Sequence, residues 1–214
     1  MGAALGDRRL YLCTPDRPDL ARFLAACIGG GVDMVQLRDK ALDARPLLAR
    51  ARLAGRVCRD HGIPFILNDR PDLALEAEAD GVHVGQDDAP PALARRILGP
   101  SALVGLSTHR PSELDTAAGE PVDYLSAGPV VPTPTKPGRS GTGLGYLTYA
   151  TSHAGRPVFV TGGASPDTVP AMAGAGARRF VVVRWLTEAS DPGAAARHLR
   201  RAIDDALSRA PDHA

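Results

Sequence analysis

Eight short apolar runs, spread along the whole chain and separated by stretches of helical period, predict an α/β protein folded as a single (β/α)8 TIM barrel. The runs are nearly continuous rather than alternating, as strands buried on both faces are, and such strands belong to parallel sheets covered by helices. No linker or shift of composition interrupts them, so residues 1–214 read as one domain, with 1–8 and 210–214 expected to be disordered tails. An open doubly wound sheet is the rival arrangement. At 214 residues a barrel lies near the lower end of the usual range of ~200 to 400, which requires short loops.

The strands are expected at LYLC (10–13), MVQL (34–37), PFIL (64–67), GVHV (81–84), LVGL (103–106), YLSAG from Tyr124, PVFV (157–160) and FVVV (180–183). Among the helices, 47–58 is patterned most clearly. Leu47, Ala51, Ala54 and Cys58 fall at i, i+4, i+7 and i+11, while Arg50, Arg52, Arg56 and Arg59 take other faces, which makes Cys58 a core residue. A helix at 146–154 is weakly patterned. The last helix buries Ala195, Leu199, Ala202, Ile203 and Ala206 and leaves His198 and His213 to solvent, outside any site. The loop PTPTKPGRSGTGLG (132–145) is the long one; alone it would read as a surface connection, but it follows the sixth strand at the end where barrel sites form.

Composition narrows the function. With 44% hydrophobic and 23% charged residues the chain can bury a sizeable core, and 25 basic against 24 acidic residues give no general attraction to nucleic acid or an anionic membrane. No apolar run approaches the ~18 residues of a membrane span, and the start MGAALGDRRL lacks the apolar segment of a signal peptide. The three cysteines, Cys13, Cys27 and Cys58, have neither disulfide-framework nor zinc-ligand spacing, and a reducing cytoplasm fits. The subunit count stays open, a homo-oligomer included.

In a parallel barrel the site forms at the C-terminal ends of the strands. There the chain places Gln36, Arg38 and Lys40 after the second strand, Asn68 and Asp69 after the third, and Gln86, Asp87 and Asp88 after the fourth. Ser107, Thr108 and His109 follow the fifth, Thr133, Thr135 and Lys136 the sixth, Gly162 and Gly163 the seventh. Neighbouring strands lie ~4.8 Å apart, so the carboxylates of Asp69 and Asp88 can converge, and hard oxygen ligands beside phosphates describe magnesium. Each alone reads better as something ordinary, an Asn-Asp turn at 68–69 and a helix cap from Asp87 or Asp88. Arg38, Lys40 and Lys136 around the same space turn the reading toward a diphosphate held by magnesium and basic groups. A second anion site is expected at TGGASPDT (161–168), where free N–H groups follow a strand and Ser165 or Asp167 caps the next helix. GLSTH (105–109) has His109 where a nucleophile elbow needs glycine, and GTGLG (141–145) is neither a dinucleotide fingerprint nor a Walker loop.

Taken together, QLRDK (36–40), ND (68–69), GVHVGQDD (81–88), STH (107–109), GPVVPTPTK (128–136) and GG (162–163) resemble, in order and spacing, the thiamine phosphate synthase family, from Leu10 to about Leu207. The resemblance implies a small barrel that joins hydroxymethylpyrimidine diphosphate to thiazole phosphate and releases pyrophosphate. It implies Gln36 at the pyrimidine, Arg38, Lys40, Asn68 and Lys136 on the diphosphate, Asp69 and Asp88 on magnesium, and Ser107 on pyrophosphate. Thr133, Pro134 and Thr135 with Gly163 match the thiazole phosphate loop, and Leu37, Asp39 and Val183 fall in the same binding motifs; Arg38, Ser107 and Lys136 are the expected catalytic set. The implied mechanism is dissociative, diphosphate leaving before the thiazole nitrogen attacks, so no nucleophilic side chain is needed. Two positions depart from the family: Arg184 follows Val183 where a small residue such as serine is usual, and Ala164 stands where a larger aliphatic is. Arg184 is expected either on the thiazole phosphate or turned outward to Glu188 or Asp191. Two other functions compete, a thiazole tautomerase of the same fold, which would not need Asp69, Asp88 and Lys136, and a non-catalytic binder of phosphorylated ligands.

Overall fold

The computed structural model describes residues 5–132 and 141–209. Its strands are β1 (Leu10–Thr14), β2 (Met34–Leu37), β3 (Phe65–Asn68), β4 (Gly81–Val84), β5 (Leu103–Thr108), β6 (Tyr124–Ala127), β7 (Val158–Val160) and β8 (Arg179–Val182). All pair in parallel with their sequence neighbours, and β8 closes on β1 through Leu10↔Phe180 and Leu12↔Val182, so the sheet is a closed barrel. The doubly wound alternative is thereby excluded, and closure leaves no edge strand to protect.

Outside the barrel run α1 (Leu20–Gly29), α2 (Ala44–Asp60), α3 (Pro71–Glu76), α4 (Pro91–Leu98), α5 (Pro111–Ala117), α6 (Gly143–His153), α7 (Val169–Gly174), α8 (Arg184–Thr187) and α9 (Pro192–Arg209). Prolines open four of them, at Pro71, Pro91, Pro111 and Pro192, where the missing N–H would have had no partner within the helix. In α2, Leu47, Ala51, Ala54 and Cys58 are buried as the period requires, and burial pushes the Cys58 thiol up to about 12. In α9 the buried positions are Gly193, Ala196, Leu199 and Ile203, so the apolar stripe runs through Ala196 rather than Ala195.

The strands alternate between two cores. Leu12, Val35, Leu37, Leu67 and Val82 face the helices, while Tyr11, Cys13, Met34, Ile66, Leu103, Tyr124, Phe159 and Val181 fill the barrel. Phe159 meets Tyr11 and Tyr124 edge-on at 5.2 and 5.4 Å, a favoured geometry for aromatic pairs. Leu5 packs against this inner core, and Arg8 N–H donates to the Leu5 carbonyl. Residues 5–8 therefore form an ordered turn and not the expected tail, because Leu5 has apolar surface to cover; residues 1–4 and 210–214 lie outside the described residues. No described helix is long and apolar enough to cross a membrane.

Candidate active site

A cavity of about 720 Å³ opens among the C-terminal ends of the strands, lined on one side by Gln36, Arg38 and Asn68 and on the other by Gly162, Gly163 and Arg184. Strand parity puts Gln36 and Arg38 on the cavity side. The same parity turns Leu37 into the helix-facing core, fully buried. Asp39 also turns away: its carboxylate accepts the N–H groups of Asp16, Ala41 and Leu42, fastening the β2–α2 loop to the β1–α1 loop. Neither the Leu37 nor the Asp39 side chain is thus a cavity contact, contrary to the expectation from the motif.

Beside Arg38 and Asn68, at the rim rather than in the cavity wall, Lys40, Asp69 and Asp88 come together. Lys40 Nζ lies 2.8 Å from Asp69 and 4.0 Å from Asp88. Asp69 adopts a left-handed backbone, φ 62°, which an aspartate tolerates better than most residues, and its N–H still bonds the His83 carbonyl. Asp88 accepts the Gly85 N–H at 2.9 Å; it caps a turn within the β4–α4 loop, and α4 itself starts after Pro90. Burial pushes the Asp69 carboxyl up, its Lys40 hydrogen bond pulls the other way, and Asp88 adds to the rise. Burial opposes ionisation of Asp88 too, but the hydrogen bond from Asp69, the Gly85 N–H and the charges of Lys40 and Arg38 outweigh it and hold the carboxyl below its ordinary value. Two acids set apart in this way compete for one cationic partner.

The opposite wall carries its donors on the backbone. Gly162 and Gly163 have φ of 96° and 84°, and a Cβ on Gly163 would stand 2.5 Å from Val131 Cγ2. Among the described residues, the N–H groups of Gly162, Gly163 and Ala164 take part in no hydrogen bond. Thr168 occupies the N-cap position of α7, in place of Ser165 or Asp167, and its hydroxyl ties the turn through the Gly163 carbonyl at 2.6 Å and the Ser165 N–H at 3.0 Å. Val183 and Arg184 line the cavity next to this turn. Arg184 is exposed and forms no ion pair with Glu188, Asp191 or any other described acid. The outward pairing is therefore absent.

Between the walls the floor is polar yet uncharged. Gln36, His83, Ser107 and Ser126 are buried in the cavity lining. Ser107 Oγ lies 2.9 Å from His83 Nε2, and Gln86 Nε2 donates to the Ser107 carbonyl, which fixes the end of β5. His83, Ser126, Tyr11 and Tyr124 are site residues that the strand-end reading passed over. Their signal was the polar residue inside each apolar run, His83 within GVHV and Ser126 within YLSA. Thr133, Pro134, Thr135 and Lys136 lie outside the described residues.

A mouth with acids and cations on one wall and bare N–H groups on the other suits one class of protein, a (β/α)8 enzyme acting on phosphorylated small molecules. Within that class, the chain belongs to the thiamine monophosphate synthase family, whose model matches residues 10–186. It is 47% identical over 216 residues to a thiamine-phosphate synthase of Mycobacterium sp. (strain KMS), covering 95% of this chain and 96% of that protein. A thiamine-phosphate synthase of Saccharopolyspora erythraea is 49% identical over 209 residues, covering 92% and 94%. Among solved structures, a thiamine phosphate pyrophosphorylase from Pyrococcus furiosus superposes with a TM-score of 0.85 at 27% identity, over 94% of this chain and 98% of that one. A 3-hexulose-6-phosphate synthase shares the fold, with a TM-score of 0.66 at 24% identity.

Proposed function

We propose that this chain is a thiamine phosphate synthase, condensing hydroxymethylpyrimidine diphosphate with thiazole phosphate to give thiamine phosphate and pyrophosphate. The observation that carries the reading is the pairing of two differently built walls at one barrel mouth, one with charged side chains beside β2–β4 and one with backbone N–H groups after β7. A cavity of about 720 Å³ lies within the ordinary range for small-ligand sites, ~300 to 1,000 Å³.

The charged wall would take the diphosphate, on Arg38, Lys40 and Asn68. Asp69 and Asp88 would hold magnesium, and their donor chemistry fits. Two half-buried carboxylates that converge on one cation, Lys40, suit a cation, and since no group of three or more His, Cys, Asp or Glu converges among the described residues, substrate oxygens and water would complete the shell. Magnesium held there would supply charge neutralisation for a departing pyrophosphate. Gln36 would orient the pyrimidine, and Ser107 would donate to the leaving group. The residues matched to the thiazole phosphate are Thr133, Pro134, Thr135 and Gly163, with Val183 and Arg184 beside them and Lys136 toward the diphosphate. In the reaction the C–O bond to the diphosphate breaks, and the thiazole nitrogen forms the new C–N bond to the same methylene carbon. Fixed donors lower the barrier to charge separation, and binding both substrates on one cavity aligns the nitrogen with that carbon.

Incubating the purified protein with both substrates and magnesium, then measuring thiamine phosphate and pyrophosphate, tests the reading: equal amounts of the two are expected. Isomerisation of a thiazole carboxylate phosphate without condensation would identify a tautomerase, and tight binding without product a ligand-binding protein.

A further inference from the structure

Seven side chains form one unbroken line of contacts, six in the cavity floor and Tyr124 buried beneath it: Cys13, Gln36, Tyr11, Tyr124, His83, Ser107 and Ser126. The proposed reaction uses only Gln36 and Ser107. A tyrosine or serine hydroxyl has one proton to give, and a neutral imidazole has one N–H and one bare nitrogen. In such a line the sense of each bond fixes the sense of the next.

The Gln36 amide enters as a donor. Its Nε2 lies 2.6 Å from the Tyr11 hydroxyl, while the Cys13 S–H donates to its carbonyl oxygen at 3.4 Å. Tyr11 then gives its proton to Tyr124, 3.0 Å away. With Tyr124 as donor instead, the buried Tyr11 proton would have no acceptor among the described residues, a costly loss. Tyr124 in turn donates to His83 Nδ1 at 3.2 Å, which leaves the imidazole proton on Nε2, 2.9 Å from Ser107 Oγ. Having accepted that bond, Ser107 keeps its own O–H for Ser126 at 3.3 Å or for a ligand oxygen in the cavity.

Packing supports the same contacts. The His83 and Tyr124 rings stack with centroids 5.5 Å apart and planes 29° from parallel. They meet over Gly105 of β5, where a Cβ would run into the Tyr124 ring and stand 2.5 Å from His83 Nδ1. Burial pushes the hydroxyls of Tyr11 and Tyr124 up, so both keep their protons.

We infer that His83 is a positioning residue of this site. Held by Tyr124 as the neutral Nε2–H tautomer, it donates to Ser107 and thereby makes the Ser107 hydroxyl a donor toward the leaving pyrophosphate. The Gln36 amide proposed to read the pyrimidine sets the sense of the whole line, so the contacts at the two ends of the substrate belong to one network that is set before the substrate binds. The inference rests on Gln36 and Ser107 serving as the pyrimidine and pyrophosphate contacts.

Nitrogen-15 NMR of the histidine-labelled protein without substrate reads the tautomer directly and needs no activity, so its failure is separate from failure of the synthase reading, which the product assay reports. The expected result is a neutral His83 with Nε2 protonated; an imidazolium, or a proton on Nδ1, which is the sense with the Gln36 amide turned round, overturns the inference. Tyr124→Phe removes the donor to Nδ1 and should populate both tautomers. Kinetically, His83→Phe should lower kcat by roughly 10- to 100-fold, the range for losing a hydrogen bond to a charged transition state, with KM for thiazole phosphate unchanged. His83→Gln, whose amide nitrogen reaches the Nε2 position, should recover most of the loss. The double variant His83→Phe/Ser107→Ala should be no slower than Ser107→Ala alone; losses that multiply would mean His83 does not act through Ser107.

Discussion

The two walls of the barrel mouth offer groups suited to an anion by different physics. Beside β2–β4 the work falls to side-chain charge: Lys40 bridges Asp69 and Asp88, and the half-buried acids pull each other's titration apart. After β7 it falls to backbone shape, with two left-handed glycines in the cavity lining, whose N–H groups bond no described residue, and Thr168 tying the turn. A charge-built wall is sensitive to one unit of charge. A shape-built wall is sensitive to one methyl group.

The largest effect is expected on the first wall. Asp69→Asn and Asp88→Asn each remove a charge while keeping the size, and each should lower magnesium-dependent turnover by roughly 100-fold or more, with the circular dichroism spectrum unchanged. Full turnover of either variant at low magnesium would remove the metal from this wall. On the second wall, Gly163→Ala meets both a positive φ and Val131, and should weaken thiazole phosphate binding by about 10- to 100-fold in calorimetry while magnesium binding stays as it was. A matching loss of magnesium affinity would show that the walls are not independent.

Arg184→Ser tests whether the shape-built wall borrows a charge. Because Arg184 is exposed, the expected cost is at the low end for a charged hydrogen bond, about 1.5 kcal/mol of thiazole phosphate affinity. Unchanged affinity would leave the backbone to act alone, and tighter binding would mean that the arginine obstructs the site. The smallest effect concerns protons and magnesium competing for one pair of acids. Burial raises Asp69, so it is the last of the two to ionise as pH rises, and metal binding should weaken as pH falls through that raised range. Saturating magnesium should therefore raise Tm by about 2–4 °C at neutral pH and by progressively less on acidification, if binding contributes ~1 kcal/mol. A shift independent of pH would place the ion elsewhere.

Much of this was legible in the sequence, and the reasons differ between elements. The continuous apolar runs gave the strands because burial on both faces leaves no room for polar alternation, and the arginine-flanked period of α2 gave its buried face residue by residue. Gln36, Arg38, Asn68, Asp69, Asp88 and Ser107 were legible because strand ends at one rim of a barrel must converge. Leu37 and Asp39 were misread through their motif, although strand parity, which already put Arg38 and Lys40 on one side, also puts Leu37 and Asp39 on the other.

By itself, then, the sequence determined the closed parallel barrel, the rim on which the site stands and the chemical character of its charged wall, because each follows from local pattern and strand direction. Tertiary structure alone decided that Tyr11, Tyr124 and His83 form a line between Gln36 and Ser107, that Asp88 bonds Gly85 instead of capping α4, and that Arg184 stays unpaired by any described acid. These contacts join residues up to 113 positions apart. Which side chains meet there depends on the stagger of closure and on a missing Cβ at Gly105, quantities that no local pattern carries.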